Sequence, residues 1–330
     1  MRSRVGSWLL AGAIALCAPG AGAIMLAAPF DADYTFVDLG GAPGVPALYG
    51  GLAFKAGDPD TLLIGGSAND ALGGIYEIGL ARDGDGHITG FSGPASLFAA
   101  APFIDGGLAY GPSGVLFYTG YPVNTIDQLE PGSASADKST VVTGLGVAIS
   151  VGALTFVPAG FAGAGQLKVV SYDGSLWYTI ELADDGAGTF DLVSASSGIS
   201  LSGGLEGIAY VLAGNPGFTA DSVLVAEYSA GQISTYEIDA NGDPIPESGR
   251  LFVTDLSGAE GAAVDPVTGD FVFSTFGGGD RVVVVRGFTQ VVPEAGRTLL
   301  VAGLLAVGAR ARAGRSRRRR RPSPTATVPS

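Results

Sequence analysis

At 330 residues, with 54 Gly, one Cys and one His, the chain is long enough for one large or two ordinary domains. Its formal charge of −13 is unevenly spread: residues 24–292 hold 7 Lys and Arg against 30 Asp and Glu, a formal −23, and nine basic residues cluster between Arg297 and Arg321. A body this acidic repels nucleic acid and anionic lipid headgroups, and a single His leaves little from which to build a His-based triad or metal site.

Arg2 and Arg4 precede an apolar run, Val5 to Ala18, and Ala21-Gly22-Ala23 supplies small residues where a signal peptidase cuts. The pattern predicts a secretory signal peptide over residues 1–23, cleaved after Ala23. Cys17 leaves with it, so the mature chain has neither disulfides nor thiolate ligands and must rely on an ordinary apolar core.

Asp33–Leu39, DYTFVDL, is a solitary alternating strand. After it a pattern recurs five times, each copy opening on a strand of small residues: Gly51-Leu52-Ala53-Phe54, Gly107-Leu108-Ala109-Tyr110, Ala153-Leu154-Thr155-Phe156, Gly207-Ile208-Ala209-Tyr210 and Gly261-Ala262-Ala263-Val264. The spacings are 56, 46, 54 and 54. The first four copies continue into three further strands, rich in Val, Ile, Phe and Tyr and separated by Gly-, Pro- and Asp-rich turns. Repeats of about 40–50 residues with four strands each are β-propeller blades, and Gly and Ala suit the innermost strand, where backbones converge on the axis.

The fifth copy has only three strands, the small one, Phe271–Phe276 and Arg281–Arg286. Asp33–Leu39 is surplus at the other end. Pairing it beside Arg281–Arg286 completes the last blade and removes two exposed edges. The expected fold is therefore all-β, a propeller of five four-stranded blades over residues 24–290 closed by its N-terminal strand, with helix confined to short apolar terminal segments. The alternatives are six blades, should a long loop hide a hairpin, or an open β-solenoid.

Beyond the body, Val292-Pro293-Glu294-Ala295-Gly296 precedes an apolar run, Thr298 to Ala309, and then Arg310, Arg312, Arg315 and Arg317–Arg321. This order over residues 291–321 resembles the PEP-CTERM sorting signal of Gram-negative bacteria, with Pro-Glu-Ala in place of Pro-Glu-Pro. The resemblance implies transient anchoring in the inner membrane through this segment. It also implies cleavage there by an exosortase and delivery to the cell surface or its matrix. Residues 322–330 form a polar tail expected to be disordered.

Chemistry has to come from carboxylates. Glu206 and Glu260 stand at matching positions immediately before the inner strands of the fourth and fifth repeats, at one mouth of the axial channel; Asp105 lies one residue further out in the second. Three convergent carboxylates are hard ligands of the kind Ca²⁺ takes. The competing reading has them capping backbone N–H groups at the channel mouth. The Glu-Gly start also resembles Ca²⁺-dependent propeller lactonases and phosphoesterases, which implies metal-bound water as nucleophile.

The acidic turns Asp83-Gly84-Asp85-Gly86, Asp184-Asp185-Gly186 and Asp239-Ala240-Asn241-Gly242-Asp243 echo calcium-loop spacing but lack an acidic twelfth residue, and read as tight hairpins. His87 reads as an exposed turn residue. Tyr118, Tyr121, Trp177 and Tyr228 are candidates for stacking on sugars or for packing between blades. The sequence thus points to an exported, non-catalytic surface or matrix binding module, with a polysaccharide or surface protein as partner. A Ca²⁺-dependent hydrolase is the alternative.

Overall fold

The computed structural model describes residues 24–291; the signal peptide, Pro293, Glu294 and the Arg-rich segment expected above lie outside the described residues. Twenty-two strands and five 3-10 turns of three or four residues account for the regular structure. The strands β1 (Met25–Leu26) and β2 (Thr35–Gly40) come first. Blade one is β3 (Leu52–Lys55), β4 (Asp58–Gly66), β5 (Gly74–Arg82) and β6 (Ile88–Ala100). Blade two is β7 (Ile104–Tyr110), β8 (Leu116–Gly120), β9 (Thr125–Leu129) and β10 (Lys138–Val141). Blade three is β11 (Val151–Phe156), β12 (Leu167–Ser171), β13 (Leu176–Asp184) and β14 (Phe190–Ala195), with β15 (Ile199–Ser200) also against β13. Blade four is β16 (Leu205–Val211), β17 (Ser222–Glu227), β18 (Gln232–Glu237) and β19 (Arg250–Thr254). Blade five is β20 (Ala259–Val264), β21 (Phe271–Thr275) and β22 (Val282–Arg286).

The N-terminal strand closes the ring. β2 lies antiparallel to β22, with Val37 opposite Val284 and Thr35 opposite Arg286, so every blade has four strands in the order of a meander. The two-residue β1 adds a fifth strand to the outer edge of blade four, opposite Thr254 and Val253. Both contacts cover edges that would otherwise offer unpaired N–H and C=O groups.

The core sits between blades. It divides into five apolar clusters, one for each pair of neighbouring blades. Leu62 and Ile64 of β4 join Val272, Val282 and Val284 of blade five, whereas Leu63 turns to Leu108, Leu116 and Tyr118 of blade two. Because side chains alternate across a strand and both faces of a blade are covered, the middle strands are apolar without interruption. Val282 to Val285 are all fully buried, each worth roughly 1.5–3 kcal/mol relative to exposure.

Near the axis the seams also carry hydroxyl bridges. Thr119 Oγ1 accepts from the Gly107 N–H at 2.9 Å and donates to the Gly152 carbonyl of the next blade at 2.6 Å. Ser274 Oγ does the same between Gly261, at 2.9 Å, and Gly50 of blade one, at 2.7 Å, across the closure.

Candidate metal centre at the axial mouth

Each inner strand from blade two to blade five is broken by a β-bulge at the same place. Register holds at Ile104–Gly120, Val151–Ser171, Leu205–Glu227 and Ala259–Thr275, then resumes at Leu108–Tyr118, Leu154–Val169, Ile208–Val225 and Ala262–Phe273. The residue just after the first pair is re-aimed at the axis. In the four blades that residue is Asp105, Gly152, Glu206 and Glu260; Gly50 takes the corresponding place in blade one, two residues before the Leu52–Ile64 pair. Asp105 is thus not displaced by one residue from the other two acids. Blade two has one more residue in its bulge, so Asp105 occupies the position of Glu206 and Glu260.

The structure brings the three acids together. Asp105, Glu206 and Glu260 each present a carboxylate oxygen within 4.8 Å of the other two, and their residues are 3 %, 4 % and 2 % exposed. The two glycines of the ring make room. A Cβ on Gly152 would stand 2.7 Å from Glu206 Oε2, and one on Gly50 2.6 Å from the Asp105 carbonyl oxygen.

Three buried carboxylates cannot all remain charged without a counter-ion. Among the described residues no Lys, Arg or His pairs with any of them. Burial pushes the Asp105 carboxyl up to about 7, against opposing hydrogen bonds from Glu260, Asn69 and the Gly106 N–H. Burial, then the charges of Asp105 and Glu260, raises Glu206 well above the usual carboxylate range. Glu260 is raised by burial, the charge of Asp105 and the hydrogen bond it shares with Asp105. Glu206 Oε2 is buried with no hydrogen-bond partner at all.

These residues fit a hard divalent cation. Oxygen ligands at 2.3–2.6 Å from one ion lie at most about 5 Å apart, which the observed separation satisfies. Glu206 Oε2 is an unused ligand atom rather than a cap on the backbone. Asn69, from blade one, donates its side-chain amide to Asp105, and its own buried Oδ1 has no partner. Sequence reasoning missed Asn69 because it sits in the β4–β5 loop, outside the repeat; its φ of +66° was the one local peculiarity. Eight of the nine non-glycine residues with positive φ among those described lie in loops on this face, including Leu48 and Phe103, whose bulk makes the conformation costly.

Around the carboxylates runs a second ring. Tyr121, Tyr172, Tyr228 and Phe276 each follow directly on the second strand of their blades. Each donates its backbone N–H to the carbonyl two residues before the axial position, at Phe103 (2.9 Å), Ser150 (2.7 Å), Gly204 (2.8 Å) and Gly258 (2.8 Å). Tyr172 and Tyr228 meet edge to face at 5.8 Å between centroids, and Tyr228 and Phe276 at 6.3 Å. Of the aromatic residues proposed for sugar stacking, Tyr121 and Tyr228 are therefore at the mouth. Tyr118 and Trp177 are not: both are fully buried in blade seams, with Trp177 Nε1 donating to Asp243 at 2.8 Å.

The acidic turns lie on the opposite face, and all are satisfied internally. Asp83 Oδ1 accepts from the N–H groups of Asp85 and His87, Asp185 Oδ1 from Ala187 and Thr189, and Asp239 Oδ1 from Asn241 and Asp243. His87 is only partly exposed. Its Nδ1 lies 2.6 Å from Oδ2 of buried Asp270, pinning blade one to blade five far from the carboxylate ring.

No family model matches this chain, and no curated protein matches it. Similar solved structures include a putative oxidoreductase (glucose dehydrogenase) of Thermus thermophilus, at 12 % identity and TM-score 0.45 over 77 % of this chain and 100 % of that one. Glutaminyl cyclase of Myxococcus xanthus matches at 14 % identity and TM-score 0.43 over 77 % and 95 %. An auxiliary nutrient binding protein of Bacteroides ovatus matches at 11 % and 0.41 over 77 % and 76 %. The five-bladed ring rests on its own strand pairing, and these distant likenesses add no chemistry to it.

Proposed function

We propose that this chain is an exported propeller, carried to the cell surface or its matrix by the segment around Pro293 and Glu294. There it works as a non-catalytic binding module whose axial mouth holds Ca²⁺. Signal peptidase and an exosortase-type enzyme are its processing partners, and an extracellular polysaccharide or surface protein its target. The observation that carries the binding role is the set of Asp105, Glu206 and Glu260, buried, convergent and without a cationic side chain. The only His lies on the other face, paired with Asp270.

Thermal melting of the purified protein tests the site: millimolar Ca²⁺ raises the midpoint relative to chelator, and an unchanged midpoint would sink the cation. Mass spectrometry of surface-released protein tests the export claim. Loss of the C-terminal arginines supports it, and finding them intact defeats it.

One observation favours a second reading. Binding through one oxygen each, the three carboxylates supply fewer than the 6–8 oxygens Ca²⁺ takes, which leaves room for a water that a hydrolase would use as nucleophile. Calcium-dependent turnover of a lactone or phosphoester panel would replace the binding role by this one.

A further inference from the structure

We propose that the ligand taken over the cation is a neutral sugar or polyol, whose hydroxyl oxygens complete the coordination while its C–H face stacks on Tyr172, Tyr228 and Phe276. This rests on the cation site proposed above. The aromatic ring supplies the independent observation. Four blades of five place an aromatic residue at one equivalent position, with the same backbone bond to the carbonyl two residues ahead of the axial residue. Blade packing is already served by the five apolar clusters, and of these four aromatic residues only Phe276 borders one of them.

The row is placed for a ligand that bridges it and the carboxylates. Tyr172, Tyr228 and Phe276 come from blades three, four and five, and Glu206 and Glu260 from blades four and five. Leu205 pairs with Glu227 and Ala259 with Thr275, so each acid stands beside the strand end that bears Tyr228 or Phe276. The Tyr228 hydroxyl senses both acids: burial first, then Glu260, Tyr172 and Glu206 push its pKa up. Ser229 Oγ donates to Tyr172 Oη at 2.9 Å and fixes that ring. The three rings are half-buried and lie on the same face as the carboxylates.

Charge selects among ligands. A divalent ion on three carboxylates leaves a net negative well in a body of formal charge −23. Phosphates and carboxylates are therefore opposed by the field, whereas neutral hydroxyls supply the hard oxygens Ca²⁺ needs without adding charge. A sugar also presents a C–H face, which a free polar amide or a water cluster does not, and aromatic rings are rigid, low-entropy surfaces for it.

The test is saturation-transfer NMR of the purified protein with methyl α-D-mannopyranoside and methyl β-D-galactopyranoside, in Ca²⁺ and in chelator, beside thermal melts under both conditions. The expected result is transfer to ring C–H protons of at least one glycoside in Ca²⁺ alone. Tyr228→Ala should weaken that binding roughly two- to tenfold while keeping the calcium-induced rise in melting temperature, and Tyr228→Phe should bind as wild type. Should Tyr228→Ala not fold, Tyr172→Ala makes the same comparison. A calcium-induced rise without transfer to either glycoside overturns the sugar and leaves the cation standing. Equal transfer in chelator, or undiminished binding to the alanine variant, also overturns it. No calcium-induced rise removes both.

Discussion

The two faces of the propeller are both acidic, yet they use their carboxylates in opposite ways. On the face of the strand 3–4 turns, the acids have N–H or cationic partners, though Asp270 keeps one buried oxygen, Oδ1, without one. Asp83, Asp185 and Asp239 accept N–H groups of their own turns, Asp265 accepts from Arg82 Nη1 at 2.6 Å, Asp270 faces His87 and Asp243 meets Lys168. These contacts staple one blade to the next. On the face of the bulges, Asp105, Glu206 and Glu260 have mostly one another, and Glu206 Oε2 has nothing. The count of negative charge does not mark a site. A buried oxygen without a partner marks one where further carboxylates converge on it and no cationic side chain stands by; Asp270 Oδ1 is also unpartnered, but His87 faces the other oxygen of that carboxylate.

The largest expected effect lies on the stapled face. Lys168 is fully buried, with Nζ held by Asp243 Oδ1 at 2.6 Å, Thr179 Oγ1 at 2.7 Å, Gln166 Oε1 at 2.8 Å and the Asn241 carbonyl at 3.0 Å. Asp243→Ala strands that ammonium without its counter-charge and should cost about 3–5 kcal/mol by urea denaturation. Adding Lys168→Met should recover most of the loss, because the buried charge goes with its partner. A cost near zero for Asp243→Ala would mean that water reaches Lys168 and that this face is less closed than drawn.

Glu206→Gln should behave in the reverse sense. Without metal at pH 8 it replaces a carboxyl whose ionisation is opposed by burial and by Asp105 and Glu260, so the variant should be more stable than wild type. With Ca²⁺ at a hundred times the dissociation constant, wild type should gain about 2.7 kcal/mol and the variant little or none. Equal calcium gains in both proteins would take Glu206 out of the site.

The same contrast has a pH dependence. Burial pushes the Asp105 carboxyl up to about 7, above its ordinary value of 3.8, so the folded state should hold this proton more tightly than the unfolded chain. The contribution of Asp105 to metal-free stability should fall as pH rises from about 4 through 7, with a slope up to about 1.4 kcal/mol per pH unit for one proton. Saturating Ca²⁺ should flatten or invert the slope, since the ion binds the deprotonated acids. Melts at fixed calcium across that range decide it.

How much of this was readable in advance depended on whether a residue's role leaves a periodic trace. Five blades and the closing strand were legible because seam-facing residues alternate with period two and inner strands must be small. The convergence of Glu206 and Glu260 was legible because both precede a Gly at the same repeat position. The equivalence of Asp105 was not, because one extra residue in a bulge has no compositional signature and Gly106-Gly107 reads like any glycine pair. Asn69 is in a loop that breaks the repeat. Tyr118 and Trp177 read like Tyr121, since an aromatic in a strand and one just past its end differ only by the strand boundary. The aromatic ring did leave a signal, an aromatic residue directly after the second strand in four repeats, visible only once strand ends are fixed.

The smallest predicted effect separates a partner that matters from one that is merely near. Arg281 Nη1 lies 2.8 Å from Asp38 Oδ2, joining the closing strand β2 to the start of β22 on the carboxylate face. Its geometry is as good as that of Lys168 and Asp243, but the two side chains are 45 % and 37 % exposed. Water and salt screen the attraction, and two long side chains lose freedom to make it, so Arg281→Ala should cost under about 1 kcal/mol and less still in high salt. The backbone ladder between Thr35–Gly40 and Val282–Arg286 and the buried valines behind it should hold the ring without the pair. A loss comparable to that of Asp243→Ala would place the strength of the closure in this exposed pair rather than in strand pairing, and the contrast between the faces would have to be redrawn around exposure instead of partnership.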